Sequence, residues 1–370
     1  MNTKVAARIC REYIPDLVYD LIGEIYKACE GPDVKGKKVL LKPNILIDAD
    51  PEKCISTHPV VVEAMARYLM NEGATVLIGD SPALHRNSFR GEKSGIADVC
   101  RRLGAEWADF NKKTVDISLR KGRIKMASVV NDVDLIISLP KLKTHELVYL
   151  TCAVKNTLGL VPGFHKAKQH AIHYDRERFA EFLVDLNEAV MPDFFLIDGI
   201  MGMEGPGPGQ GMPVMTGVIL GSTNPAAVDI IASLITGYDP MDIPTTAVAV
   251  RRGLWLKDTS DIIYDGPAPE IIKKKDFKKI PVTGNENIAL KFIKKRIPLL
   301  RKFDKRPVFL HGNCTGCIEC ISICSSNALT MHKSVKNHVI LKDSRCIRCF
   351  CCAEVCRYHA VEIRRKIFGI

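Results

Sequence analysis

Aromatic residues make up only 6% of this 370-residue chain, with two tryptophans among them. No stretch of about 18 apolar residues free of Gly and Pro occurs, so no membrane span is expected. Residues 1–20 alternate charged and apolar side chains. They lack the apolar centre and cleavage site of a secretory signal. No GxGxxG follows a strand-like segment and no serine-centred nucleophile elbow is present, which leaves nicotinamide, flavin and serine-hydrolase chemistry without a fingerprint. Gly31-x4-Gly36-Lys37 has the glycines and lysine of a phosphate loop, but Lys38 replaces the required Ser/Thr and the segment precedes a strand. No organic cofactor is indicated.

The net charge of +11 is unevenly spread. Residues 1–272 carry −4, residues 273–306 carry +10 and residues 307–370 carry +5. This divides the chain into a body (1–272), a basic connector (273–306) and a tail (307–370). The connector is expected to be a solvated strap, or else to dock an acidic partner or a membrane surface. Its only aromatics are Phe277, Phe292 and Phe303, too few for a nucleic-acid stacking platform, so no nucleic acid is expected.

Cysteine is concentrated in the tail. Cys314-x2-Cys317-x2-Cys320-x3-Cys324 recurs 32 residues later as Cys346-x2-Cys349-x2-Cys352-x3-Cys356. Three thiolates at steps of three can wrap three corners of a cubane cluster, and the fourth must come from elsewhere. Zinc sites usually separate two cysteine pairs by a longer spacer, and a disulfide framework is the remaining alternative. The tail resembles the bacterial-type dicluster ferredoxin module, in which each fourth cysteine serves the other cluster. The resemblance implies two [4Fe-4S] clusters, one held by Cys314, Cys317, Cys320 and Cys356, the other by Cys346, Cys349, Cys352 and Cys324. It also implies a short strand after each run, near 327–330 and 358–363. Ser325 and Arg357 stand where the module usually has Pro. Cys351 fits neither spacing and is expected to be a small buried side chain. The other five cysteines are scattered, which suits a reducing, cytoplasmic setting.

The body alternates strand and helix patterns. Strands are expected at 38–42, 74–79, 134–139, 194–197 and 215–220, with helices at 58–71, near 96–103, and at 226–236 after Asn224-Pro225. This predicts an α/β fold with a helix-covered, mainly parallel sheet, joined to a small α+β tail domain. Ligands of such sheets gather at the carboxyl ends of strands. There stand Lys42-Pro43-Asn44, Asp80-Ser81-Pro82, Pro140-Lys141-Leu142-Lys143-Thr144-His145 and Asp198-Gly199. Thr144 is expected to cap a helix presenting Thr151 and Lys155, with Asn156 beside them. Lys141, Lys143 and Lys155 would then hold an anionic group, although solvated lysines are the plain alternative. The segment 202–213, with Glu204, reads as a lid or a surface loop. His165, His170 and His173 could move protons or, less simply, bind a metal.

The pattern Lys42-Pro43-Asn44, Pro140-Lys141-x-Lys143-Thr144-His145, Lys155-Asn156-x2-Gly159-x2-Pro162, Asp198-Gly199 and Glu204-Gly205-x-Gly207-Pro208 resembles the domain of unknown function family 362. Members of that family often carry a C-terminal ferredoxin module. The expected function is iron-sulfur electron transfer, with the tail relaying electrons to an anionic small molecule in the α/β crevice. Lys141, Lys143, Lys155 and Asn44 would bind it, and His145, His170, Glu204 and Asp198 would move protons. The alternative is a non-catalytic relay or cofactor-maturation protein that docks an acidic redox partner.

Overall fold

A ten-stranded sheet runs through the body. The computed structural model describes residues 3–82, 91–173, 175–282 and 305–364, and most of the basic connector (283–304) lies outside the described residues. The strands are β1 (Thr3–Ile9), β2 (Lys38–Pro43), β3 (Thr75–Ile78), β4 (Glu106–Trp107), β7 (Leu135–Leu139), β8 (Lys141–His145), β9 (Tyr149–Thr151), β10 (Phe194–Glu204), β11 (Met212–Ser222) and β12 (Ile262–Asp265). A separate hairpin of β5 (Thr114–Ser118) and β6 (Arg123–Ala127) lies off the sheet. The order is β12-β1-β11-β10-β7-β2-β3-β4, with β8 and β9 extending from β10. From β10 to β4 every neighbouring pair is parallel, whereas β11 is antiparallel to both β10 and β1.

The side-chain alternation of the central strands sets the layers. Val39 and Leu41, Ile137, and Phe194 and Leu196 face one core, whereas Leu40, Ile136, Phe195 and Ile197 face the other. With both faces buried, such strands are apolar throughout, as parallel sheets require. The first face is covered by α1 (Pro15–Ala28), α2 (Pro59–Asn71) and α3 (Ile96–Leu103). The second is covered by α6 (Arg176–Val190), α7 (Pro225–Ile235) and α8 (Pro244–Arg251). Asn224 caps α7 by accepting from the N–H groups of Ala226 and Ala227, and Pro225 occupies the first turn, where its missing N–H costs nothing.

One expected helix is replaced by a hairpin. Residues 141–145 form β8 beside β10, and the chain reverses into β9 because His145 Nδ1 accepts from the N–H groups of Leu147 and Val148. Helix α4 (Ala153–Asn156) starts only after it, and its cap is Asp229 of α7, which accepts from the Ala153 and Val154 N–H groups at 2.7 and 3.1 Å. Thr144 therefore caps nothing. The segment 202–213 is the tip of a long hairpin, in which β10 ends at Glu204, β11 starts at Met212 and residues 205–211 form the connecting loop.

The tail builds its own small core from two antiparallel pairs, β13 (Arg306–Phe309) with β16 (Val361–Arg364) and β14 (Leu329–Met331) with β15 (Val339–Leu341). Two single turns, α10 (Glu319–Ser322) and α11 (Cys351–Glu354), lie between them. The tail repeats itself at a 32-residue offset, so positive φ recurs at Gly316 and Arg348, Ile318 and Phe350, and Asn327 and His359. It docks on the body where Ile323, Cys351 and Val355 pack on Ala167 of α5 (Gly163–Ile172). The β10–β11 hairpin tip clasps it: Gln210 Nε2 donates to the Ala353 carbonyl at 2.9 Å, and a Cβ on Gly209 would lie 2.5 Å from the Glu354 carbonyl oxygen.

Candidate active site

The cysteines of the tail fall into two groups. Around Cys320 stand Cys356, Cys317 and Cys314; around Cys352 stand Cys349, Cys346 and Cys324, with Cys320 of the first group also close. The last cysteine of each run thus lies close enough to act on a cysteine of the other, Cys356 on Cys320 and Cys324 on Cys352. Burial, reinforced by the neighbouring sulfurs, pushes the Cys320 thiol up to about 12 and the Cys352 thiol well above its ordinary value. So many sulfurs can be thiolates together only with compensating cations, which is the chemistry of an iron-sulfur or other metal site. The Ala328 N–H points at Cys324 Sγ (3.2 Å) and the Ala360 N–H at Cys356 Sγ (3.3 Å), repeating a donor to sulfur in each half. The residues present fit such a group.

At the carboxyl edge of the sheet, the charged residues form two buried networks. Lys42 Nζ pairs with Asp80 Oδ1 at 2.9 Å and donates to Asn156 Oδ1 at 3.2 Å, and Asn44 Nδ2 reaches the same Asn156 oxygen. Gly159 lies against this pair, with no room for a Cβ. In the second network Lys141 Nζ pairs with Asp198 Oδ2 at 2.7 Å, and the Tyr13 hydroxyl bridges both, receiving from Lys141 and donating to Asp198 Oδ1. Asp198 Oδ2 also accepts from the His58 N–H. Lys143 is buried and donates to the Ile55 carbonyl at 2.6 Å; burial, aided by Lys155, lowers its pKa well below the usual lysine value.

Between the first network and the docked tail lies a crevice of about 50 Å³. Asn44, Lys155, Lys166 and His170 line it from the body, and Cys351 and Glu354 from the tail. Desolvation lowers Lys155 and brings Lys166 to about 8, although the carboxylates of Glu354 and Asp80 oppose the shifts. Desolvation likewise takes His170 down to about 4, with its ring stacked on Phe179 and its Nδ1 buried without a hydrogen-bond partner. Behind the crevice, His145 Nε2 faces Glu354 Oε1 at 3.3 Å. Burial alone would raise the Glu354 carboxyl, but His145, His170 and Lys155 hold it down at about 2; burial takes His145 to about 3. At neutral pH the pair is therefore a neutral imidazole facing a carboxylate. The two backbone donors to Nδ1 put the imidazole proton on Nε2.

A sequence profile described as "Domain of unknown function (DUF362)" matches residues 39–233, from β2 through most of α7. The chain belongs to the DUF362 family. The thylakoid-associated protein sll1697 of Synechocystis sp. is 36% identical over 221 residues, covering 59% of this chain and 69% of that protein. Among solved structures, a protein from Thermotoga maritima overlaps at a TM-score of 0.36 and 13% identity, covering 57% of this chain and 55% of its own. The lactate racemase apoprotein from Thermoanaerobacterium thermosaccharolyticum overlaps at 0.40 and 12% identity, covering 61% and 55%. The chain thus spans about half the length of these two solved structures.

Of the residues singled out in the sequence, the DUF362 region brings Asn44, Lys155 and His170 to the crevice, with His145 just behind. Lys141 and Asp198 are occupied with each other, and Lys143 with a carbonyl. Glu204 lies apart, accepting from the Lys278 N–H at 2.8 Å. His165 and His173 are not grouped with His170, whose donor-bearing neighbours are Cys351 and Glu354. Lys166 and Glu354 had no assigned role in the sequence reading, Asp80 stood there only as a strand-end group and Cys351 only as a small buried side chain, and a signal for Cys351 and Glu354 existed. That signal was a comparison of the repeats, because Glu319 and Ser322 hold the places of Cys351 and Glu354 in the first run.

Proposed function

We propose that this DUF362 protein is an iron-sulfur oxidoreductase whose tail (307–370) holds two [4Fe-4S] clusters in the crossed ligand sets and whose crevice binds a small anionic substrate. The observation that carries the reading is the single turn α11, which sets Cys352 among the thiols and Cys351 and Glu354 on the crevice wall. Bound clusters would supply single electrons one residue away from the crevice. Lys155 and Lys166 hold the anionic group of the substrate, and Asn44, whose Oδ1 is buried without a hydrogen-bond partner among the described residues, orients it through a donor on the ligand. His170 stands on the crevice wall beside them. No helix among the described residues is long and apolar enough to cross a membrane. The proposed location is the cytoplasm, where the connector, with its charge of +10, would meet an acidic redox partner.

The test is mass spectrometry of small molecules released by denaturing the anaerobically purified protein. An anionic metabolite is expected from the wild type and not from Lys155→Ala/Lys166→Ala, whose iron and sulfide content stays unchanged. A metabolite retained by the variant overturns the pocket assignment. Release of iron and sulfide alone, with salt-sensitive binding to an acidic partner, selects the second reading, a relay or maturation protein.

A further inference from the structure

We propose that His170, Cys351 and Glu354 form a mononuclear site for a zinc-like divalent metal ion, distinct from the eight cysteines of the two runs. One ligand atom from each lies within 4.8 Å of the others, and all three residues are buried. Bonds of about 2.0–2.3 Å to a shared ion would place such atoms about 3.3–3.8 Å apart, so closing the site takes side-chain movements of about an ångström. The donors are one imidazole nitrogen, one sulfur and one carboxylate oxygen, a mixture suited to a borderline ion such as Zn²⁺. A thiolate and a carboxylate together carry two negative charges, which one divalent ion balances.

Two further observations point to a ligand. His170 is 4% exposed, and its Nδ1 has no hydrogen-bond partner among the described residues, a costly arrangement unless another group engages that nitrogen. Stacking on Phe179 fixes the ring that carries it. Glu354 in turn is backed by His145, and the N–H groups of Leu147 and Val148 fix the His145 tautomer. This is how metal-binding carboxylates are commonly oriented from behind. His145 is not itself a ligand, because its Nδ1 lone pair is engaged by the backbone and its Nε2 carries the proton. Three protein ligands leave a coordination position open toward the crevice, where Lys155 and Asn44 stand. Cys351 is also in side-chain contact with Cys349, so the site abuts the second cysteine run without using its ligands.

The site is independent of how many clusters the tail holds, and its test is blind to iron. Full-length protein, purified anaerobically with its iron and sulfide, is dialysed against a chelator and titrated with ZnCl₂. Bound zinc and its K-edge absorption are then measured. About one zinc per chain is expected, with one sulfur and otherwise nitrogen or oxygen neighbours. His170→Gln and Cys351→Ala should each weaken zinc binding by at least about 10- to 100-fold, with unchanged iron and sulfide. Glu354→Gln, which keeps the side-chain size, gives the same answer if either variant loses iron. No zinc on the wild type, a first shell of four sulfurs, or wild-type affinity in the variants overturns the proposal.

Discussion

Lys141 Nζ and Asp198 Oδ2 meet at 2.7 Å with neither side chain exposed to solvent, on strands β8 and β10 that pair at these very residues. A buried ion pair is stabilising mainly in the sense that neither half tolerates being left alone. Lys141→Ala leaves the Asp198 carboxylate buried beside Tyr13 and is expected to cost about 3–5 kcal/mol. Lys141→Met/Asp198→Asn should recover much of that in urea unfolding. If the single variant is as stable as the wild type, the pair is not what holds this edge.

Gly159 is the one residue type that fits above Lys42 and Asp80. A Cβ there would lie 2.1 Å from Asp80 Oδ1 and 2.3 Å from Lys42 Nζ. Gly159→Ala must push the pair apart, with an expected loss of about 1–3 kcal/mol from overpacking. A thermal melt within one degree of the wild type would show that the loop moves aside instead.

Glu354→Ala removes the carboxylate that faces His145 Nε2 at 3.3 Å, and that nitrogen has no hydrogen-bond partner among the described residues to replace it. An unpartnered buried donor costs about 1–3 kcal/mol. The loss should appear as faster amide exchange in α11 and at the β8–β9 turn, with α7 and β1 unaffected. Uniform exchange would assign His145 a role in its own turn only.

Lys166 is lowered to about 8 by desolvation. It is cationic below that pH, so its attraction for a crevice anion is present in acid and lost as pH rises through about 8. A bound anion favours the charged form and moves this midpoint upward. Phosphate binding followed by calorimetry from pH 6 to 10 should fall across the window, and Lys166→Met should flatten the curve. A wild-type profile that is flat would place the anion elsewhere.

The proposed crossed ligand sets make a counting prediction. Cys356→Ala should resemble Cys320→Ala, and Cys324→Ala should resemble Cys352→Ala, each pair sharing one electron paramagnetic resonance signature. Iron should drop from about eight to about four per chain. Pairing of Cys356 with Cys352 instead would mean that each run serves itself.

The sequence pattern reached the sheet and its helices closely because strands such as 135–139 and helices such as 96–103 declare themselves by local periodicity. It misread 144–158 for a physical reason. Leu147, Leu150, Val154 and Leu158 have helical spacing, yet the first two belong to a turn and a strand paired with β8, which β10 holds in place, whereas Val154 lies in α4, capped by Asp229, and Leu158 in the separate 3-10 turn Thr157–Leu160. Neither β10 nor Asp229 is local. The strand-end rule did lead to Asn44 and Lys155, but charge alone could not tell Lys155, which faces the crevice, from Lys141, which faces Asp198. Cys351 was expected to be buried, as it is, but neither its place on the crevice wall nor that of Glu354 could be read from the cysteine spacing.

The clasp of the β10–β11 hairpin on α11 has an outcome for dissection of the molecule. Asn44, Lys155, Lys166 and His170 are contributed by the body, Cys351 and Glu354 by the tail. Cut at the connector, either fragment could fold around its own core and still carry only half a wall. Ligand screens or crystals of the isolated halves would meet an open face where the joined chain has a chamber. The crevice belongs to the joint, and only the uncut chain possesses it.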